Sequence, residues 1–308
     1  MNLPFLVWLL LSTIWGSTWL FIKLGLDEHL PPLTFAGVRF VIASIPLAAL
    51  LLLRRTPLPR NPRDWTLMIG TGLLTFAANY GLVFWGENHI SSGLTAILYT
   101  TLPLFGLVIA HFLLPSEPMT VSKVSGVLLG IAGVALIFSH QLYINNPMAI
   151  WGSLAIVLAA LGTAYAGVLI KARGGHFDPF VLTTVQMVSG FVPMLALFIP
   201  MEGNPLSFHW TPLALLALFY LAFVGSSLTF VLLYWLYKHM EVTKTQLMPL
   251  LSTLIAVLLG SIVRHEELSW RTAVGGAAIL IGLLLATWRP KRAGSRGSLA
   301  AERTYKKT

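Results

Sequence analysis

Apolar residues along this chain fall into ten long blocks separated by short polar stretches. The blocks cover roughly 3–22, 32–53, 65–86, 92–114, 121–139, 148–170, 178–200, 211–236, 243–263 and 270–288. Each is close to the ~20 residues that a helix needs to cross a ~30 Å hydrocarbon core. The separators carry residues that stop helices or start turns: TPLPRNPRD at 56–64, PSEPMT at 115–120, INNP at 144–147 and EGNP at 202–205. The pattern predicts an all-α integral membrane protein with ten transmembrane helices. Helices of that length use most of the 308 residues, so no soluble domain is expected. The first block has neither a basic leader nor a cleavage site ahead of polar sequence, and reads as a retained helix.

The blocks also repeat. Pro32 and Pro46 recur as Pro179 and Pro193, an offset of 147. Trp85 and His89 recur as Trp235 and His239, and Glu117 and Gly126 as Glu267 and Gly276, at an offset of 150. The halves are 3–139 and 148–288, with a tail at 289–308. Five spans per half turn the second half upside down relative to the first. Inverted repeats are a recurrent transporter architecture, with the solute bound near mid-membrane between the halves.

Composition agrees. The chain is 56% apolar and 10% charged, with mean hydropathy +0.79, where a soluble domain carries about 25% charged residues. The absence of cysteine excludes disulfides, thiolate catalysis and Cys-based metal sites. A net charge of +9 suggests nucleic acid at first sight, but +6 of it lies in the tail from Arg289 onward. Arg54, Arg55, Arg60, Arg63, Lys123, Lys171, Arg173, Lys238 and Lys244 join the tail on one side of the membrane, sixteen of the twenty basic residues. Lys23, Arg264 and Arg271 lie on the other. Basic residues stay in the cytoplasm, so both termini are expected there and no nucleic-acid partner is expected. The polar tail is expected to be disordered and to meet anionic headgroups.

Polar and aromatic residues inside spans are the candidates for function, because lipid has no use for them. Trp8, Ser12, Trp15, Trp19 and Lys23 share one face of the first helix. Aromatic rings there can stack on a flat or apolar solute, while ordinary packing is the alternative. The candidate cavity lining is Trp15, Trp19, Asn79, Tyr80, Tyr99, Tyr165, Gln186, Tyr234 and Gln246. Tyr165 stands where Trp19 stands in the first half, so the two are expected to face each other. Pro103 and Pro249 mark helix bends suited to gates. His111 is a candidate relay, against a structural role. Arg39 is the one clear charge inside a span; it is expected to pair with Glu87, to bind a solute carboxylate, or to hold the scaffold. Every acid lies in a loop or near a helix end, and only Glu87 is placed to couple transport to protons. Glu117 and Glu267 suit the N-termini of helices, and Thr120 and Ser269 suit caps. The fifth and tenth helices carry glycine ladders, Gly126, Gly130 and Gly133 against Gly275, Gly276 and Gly282, and few polar residues. They are expected to pack away from the cavity, and a homodimer through them is a further expectation.

The segments Trp15-Gly16-Ser17-Thr18-Trp19, Ile22-Lys23, Leu30-Pro31-Pro32-Leu33 and Arg39-Phe40 resemble the opening of an EamA domain. Ser91 to Pro103, then Ser116-Glu117 before the glycines, resembles its close, and Glu266-Glu267 before Gly275 repeats that close. Gly162-Thr163-Ala164-Tyr165 and Gln186 depart from the opening motif in the second half. The resemblance to this family of the drug/metabolite transporter superfamily implies two inverted five-helix repeats and alternating access. By this resemblance, many relatives export amino acids or other small metabolites, and aromatic amino-acid and paraquat exporters are among them.

The resulting expectation is a multi-pass protein of a cell membrane, the bacterial inner membrane by resemblance. It exports small metabolites, most of all neutral, apolar or aromatic amino acids, by a facilitated mechanism. The alternatives are a proton-coupled multidrug exporter, and a membrane sensor or assembly subunit. No HExxH, paired intramembrane acids or histidine cluster is present, so no enzyme activity, metal or cofactor is expected.

Overall fold

Each apolar block becomes a helix, and the polar punctuation supplies its end. The computed structural model describes residues 2–87, 89–90, 92–139, 147–264 and 269–287, without the side chains of 92, 93 and 264. Glu266, Glu267, most of INNP and the tail lie outside the described residues. The helices are α1 (Leu3–Asp27), α2 (Pro32–Arg54), α3 (Pro62–Glu87), α4 (Ser92–Tyr99 and Leu102–Leu113), α5 (Val121–Ile137) and α6 (Met148–Arg173). They continue as α7 (Pro179–Glu202), α8 (Pro212–His239), α9 (Val242–Thr245 and Met248–Arg264) and α10 (Trp270–Thr287). Nine are long and apolar enough to cross a membrane, and α5, with 17 residues, falls just short of that length. Proline opens α2, α3, α7 and α8, where its missing N–H costs nothing. Asn61, Thr120, Asp178, Thr211 and Ser269 accept from backbone N–H groups in the first turns that follow them.

Packing between the halves follows an exchange rule. The main contacts pair α1 with α9 and α4 with α6, α3 with α6 and α8 with α1, α3 with α7 and α8 with α2. The pairs α2–α7 and α5–α10 map onto themselves. Swapping each helix with the one five places later returns the same set, which is the signature of a two-fold axis between inverted repeats. The start of α1 meets the start of α9 through Trp8 Nε1, which donates to the Lys244 carbonyl at 3.0 Å. The start of α5 meets the end of α10 through Ser122. Both ends of the described chain therefore share one face, called here the terminal face. At the opposite, far face, Glu202 at the end of α7 accepts from the N–H groups of Leu33 and Thr34 at the start of α2. Glu28 after α1 accepts from the Thr211 hydroxyl at the start of α8.

The α5–α10 pair is a backbone-to-backbone contact. A Cβ on Gly133 would stand 2.5 Å from the Gly275 carbonyl, and one on Gly275 would stand 2.5 Å from the Gly133 carbonyl. Gly126 and Gly282 form a second reciprocal pair at the same spacing. Such approach gains dispersion contacts where lipid gives no hydrophobic drive between helices. The glycine faces are thus occupied within the chain, and a homodimer through α5 and α10 would use their other faces.

Four interruptions break the helical regularity, in symmetric places. A widened turn lies at Leu73–Ala78 in α3 and another at Tyr220–Leu228 in α8. In the first, Asn79 N–H reaches back five residues to the Leu74 carbonyl. In the second, the Ser226 and Ser227 hydroxyls donate to carbonyls five residues back, Leu221 and Ala222. The other two are the gaps at Thr100–Thr101 in α4 and Gln246–Leu247 in α9. Pro103 and Pro249 lack the N–H that would bridge these gaps, in keeping with the expected bends.

Gly133→Leu should force α5 from α10 and lower stability by about 1–3 kcal/mol, seen as an earlier thermal melt in detergent. Gly175→Ala, whose Cβ would meet nothing within 4 Å, is the neutral control. Equal melts would show that α5 and α10 are free to part.

Candidate functional site

The terminal face is sealed. Glu117, after α4, is buried, and its carboxylate accepts from Val242 N–H at 2.8 Å, Thr243 N–H at 2.9 Å and the Thr243 hydroxyl at 2.9 Å. It caps α9, across the bundle, rather than α5, which it precedes. Lys171 at the end of α6 donates to the Tyr237 and Met240 carbonyls at the end of α8. Glu241 bridges Lys123 at 3.2 Å and Lys244 at 3.4 Å. Gln246 reaches from α9 into α4 and α6: its Nε2 donates to the Ala164 carbonyl at 3.0 Å. Its amide lies against Gly106 and Gly167, where any Cβ would collide with it. A crevice of about 10 Å³ remains among α6, α7 and α8 beside Tyr234 and Tyr237, room for about one water.

Among the described residues the far face is not closed by the same contacts. By the exchange rule, the α6–α8, α6–α9 and α4–α9 contacts at the terminal face should be matched by α1–α3, α1–α4 and α9–α4 contacts at the far face. Among the described residues none of these matches forms a comparable contact. The face of α1 reads out the difference. Trp8 and Ser12 are 5% and 0% exposed, Trp15 is half-buried, Trp19 is 53% exposed, and the Lys23 side chain is 57% exposed. The outward stripe of α1 is a different one, Leu3, Leu6, Leu10 and Thr13. The Trp face therefore passes from buried near the terminal face to exposed toward the far face.

Beside this face the structure brings several expected residues together. Trp15 packs edge-on against Phe230, at 6.0 Å between ring centres. Phe230 contacts Phe76 and Tyr234, and Phe40 contacts Phe76 and Tyr80, so α1, α2, α3 and α8 share one aromatic floor. Asn79 joins α3 to α4 and α6: its Oδ1 accepts from the Tyr99 hydroxyl at 3.0 Å and the Thr163 hydroxyl at 3.1 Å. Its amide N–H groups have no acceptor among the described residues. Arg39 is buried; Nε donates to Ser226 Oγ at 2.7 Å and Nη2 to the Gly225 carbonyl at 3.1 Å. It is held by the widened turn of α8, and it makes no ion pair with Glu87.

Other candidates lie elsewhere. Gln186 is fully buried; it donates to Thr71 Oγ1 at 2.6 Å and accepts from the Tyr234 hydroxyl, a polar knot beside the widened turn of α3. Gln246 is the wedge described above. Tyr165 continues the exposed apolar stripe of Trp151, Leu154, Leu158 and Leu161 along the whole of α6. An unbroken apolar stripe of that length faces lipid, which takes Tyr165 away from Trp19. His111 is an exposed side chain that accepts from Met119 N–H at 3.3 Å, a loop contact. The Pro249 carbonyl accepts from the Ser252 and Thr253 hydroxyls below the gap in α9. Thr163, Phe230, Ser226 and Lys171 are partners that sequence reasoning missed. Their types are unremarkable in a membrane helix, and only the facing residue gives each its role. Among the described residues no cluster of His, Asp or Glu could hold a metal ion.

The sequence profile of the EamA-like transporter family matches residues 3–139 and 150–288. The transporter YoaV of Bacillus subtilis is 28% identical, over 90% of this chain and 94% of its own length. The inner membrane transporter YedA of Escherichia coli is 30% identical, over 90% and 88%. A chloroplastic WAT1-related protein of Arabidopsis thaliana is 26% identical, over 91% and 69%. One solved crystal structure has the same fold, with a TM-score of 0.79 and 19% identity, covering 92% of this chain and 97% of the other. With its ten described helices in two exchanged halves, this chain belongs to the EamA-like transporter family.

Proposed function

We propose that the protein exports small metabolites, foremost neutral, apolar or aromatic amino acids, by alternating access. The observation that carries this reading is the graded face of α1, sealed at Trp8 and open at Trp19. The sealed terminal face is the cytoplasmic one by its basic residues, so the Trp face opens outward. Trp15, Trp19 and Tyr80 offer rings to an apolar side chain, and the free amide N–H groups of Asn79 offer donors to a polar end. Gln246, Glu117 and Lys171 close the inner side. Opening requires the Gln246 wedge to leave Gly106 and Gly167. Its Oε1 is buried without a partner, which costs about 1–3 kcal/mol and keeps the closed state from being a trap. Transport is facilitated in this reading. Glu87 favours the proton-coupled alternative, because it has no ion pair or hydrogen bond among the described residues and lies in the last turn of α3.

Counterflow of an amino-acid and drug panel in proteoliposomes, with and without a pH gradient, tests the reading. Amino-acid flux without a gradient is expected. Strict dependence on the gradient, abolished in Glu87→Gln, would move the assignment to the alternative. Trp19→Ala should reduce aromatic amino-acid flux about tenfold and leave the melt unchanged; normal flux would remove Trp19 from the path.

The gate has its own test, helped by the absence of native cysteine. Trp19→Cys should react with an impermeant maleimide added at the far face. Leu247→Cys, buried at the gap in α9, should stay silent from both faces. Adding Glu117→Ala strips acceptors from two N–H groups, and a loss of about 1–3 kcal/mol should make Leu247→Cys reactive from the terminal face. Continued silence would take Glu117 out of the gate.

A further inference from the structure

We propose that Arg39 is an anion receptor, and that the transported solutes carry a carboxylate which it binds. The proposal rests on the transporter reading above and adds the chemical class of the solute.

A guanidinium has five N–H donors arranged in a rigid fork. Two of those on Arg39 are used, Nε by Ser226 and one on Nη2 by the Gly225 carbonyl. Both contacts lie on the edge that faces α8. The other edge, Nη1 with the second Nη2 hydrogen, has no acceptor among the described residues. The buried polar atoms left without a partner are Thr34 Oγ1, Thr95 Oγ1 and Gln246 Oε1. Nη1 is not one of them, so this edge is not fully enclosed, although Arg39 as a whole is only 5% exposed. The edge lies on the inner side of α2. Arg39 lies on the buried face of α2 with Ala36, Phe40 and Ala43, while α2 turns Ile45, Ala49 and Leu52 outward.

Charge makes the same point. A cation at this depth is costly without a counter-charge, and no carboxylate stands within ion-pair distance among the described residues. The contacts to α8 are neutral: they orient the fork and leave its charge uncompensated. Depth places the free edge with the other candidates. Arg39 is about 10 Å in from the far end of α2, and Trp19 and Asn79 are about 12 Å in from the far ends of α1 and α3, at 1.5 Å per residue. A free guanidinium edge matches a carboxylate with two parallel hydrogen bonds. Aromatic rings at the same level suit an apolar side chain. Gln186, which occupies the matching place in the second half, is neutral and spent on Thr71 and Tyr234, so the receptor exists once.

Thermal-shift titration of the purified full chain with L-phenylalanine, phenylacetate and phenethylamine tests this. The two carboxylates should stabilise the protein, with phenethylamine at least tenfold weaker. Arg39→Gln should lose that preference, and Arg39→Lys should keep part of it. Ser226→Ala, which removes one tie and leaves the charge, should retain it. If Arg39→Gln does not fold, the wild-type preference and the Lys variant still decide. Equal response to phenethylamine, or an unchanged preference in a folded Arg39→Gln, overturns the receptor. Silence with both carboxylates also overturns it, while flux of amines in the counterflow panel would leave the transporter reading standing. A response to phenylacetate without phenylalanine supports the receptor and removes amino acids as the solute.

Discussion

Hydrocarbon offers no hydrogen bonds, so a chain that crosses it must satisfy its backbone from within. Regular helices do this by themselves, and most of this molecule consists of them. The exceptions are the two widened turns and the two gaps, in α3, α8, α4 and α9. Each is turned inward and met by side chains. The Ser226 and Ser227 hydroxyls and the Arg39 guanidinium occupy the turn in α8. Thr100 and Thr101 hydroxyls bond back to the Ile97 and Leu98 carbonyls at 2.6 Å beside the gap in α4. Irregular backbone is tolerated only where protein or a watery cavity surrounds it, so these places belong to the interior of the bundle. Two of the helices that carry no interruption, α5 and α10, stand aside as a glycine-packed pair.

The same constraint bears on how the two faces differ among the described residues. The two halves supply the same helices, so the contacts that close the terminal face have potential counterparts at the far face. Those contacts are hydrogen bonds and ion pairs at helix ends: Glu117 to α9, Lys171 to α8, Glu241 to two lysines. Helix ends expose unsatisfied N–H and C=O groups whichever way the gate stands. Water can satisfy them when the gate is open, and the opposite helix when it is closed. The difference between the two is therefore small, which suits the gate proposed above. The glycine contacts of α5 and α10 have no such substitute in water.

The fold was legible because periodicity in lipid is coarse. Twenty apolar residues between prolines have one regular solution, and the blocks read from the chain agree with the helices within a few residues at most ends. The largest miss, α1 running on to Asp27, occurs where polar residues continue a helix past the hydrocarbon. The candidate site was legible only by type. Trp15, Trp19 and Asn79 could be named as interior, since lipid has little use for them in a row. Tyr165 could not be told from them, because an aromatic at a lipid-facing position has the same one-letter signal. The widened turn in α3 is spelled LLTFAA, which any regular helix accepts. Gln246 was recognisable as buried, but its being a wedge depends on Gly106 and Gly167 in other helices. Pairing of that kind is a property of the third dimension, and a single chain read in order does not contain it.

Where the repeats differ is as informative as where they agree. Arg39 and Gln186 occupy matching places in α2 and α7, and each reaches a neighbour at a widened turn. The second is a closed neutral knot, shared among Gln186, Thr71 and Tyr234. The first is an open cation, tied on one edge and vacant on the other. Two receptors related by the axis would hold a solute equally well in either orientation. In the receptor proposed above a single charge breaks that degeneracy, fixing one end of the solute at α2 and α8. The scaffold has to remain symmetric so that each face can close by the same geometry. The binding surface has to be asymmetric so that the solute has one pose in the path. Keeping the glycines and capping residues matched while Arg39 and Gln186 diverge satisfies both requirements in one chain.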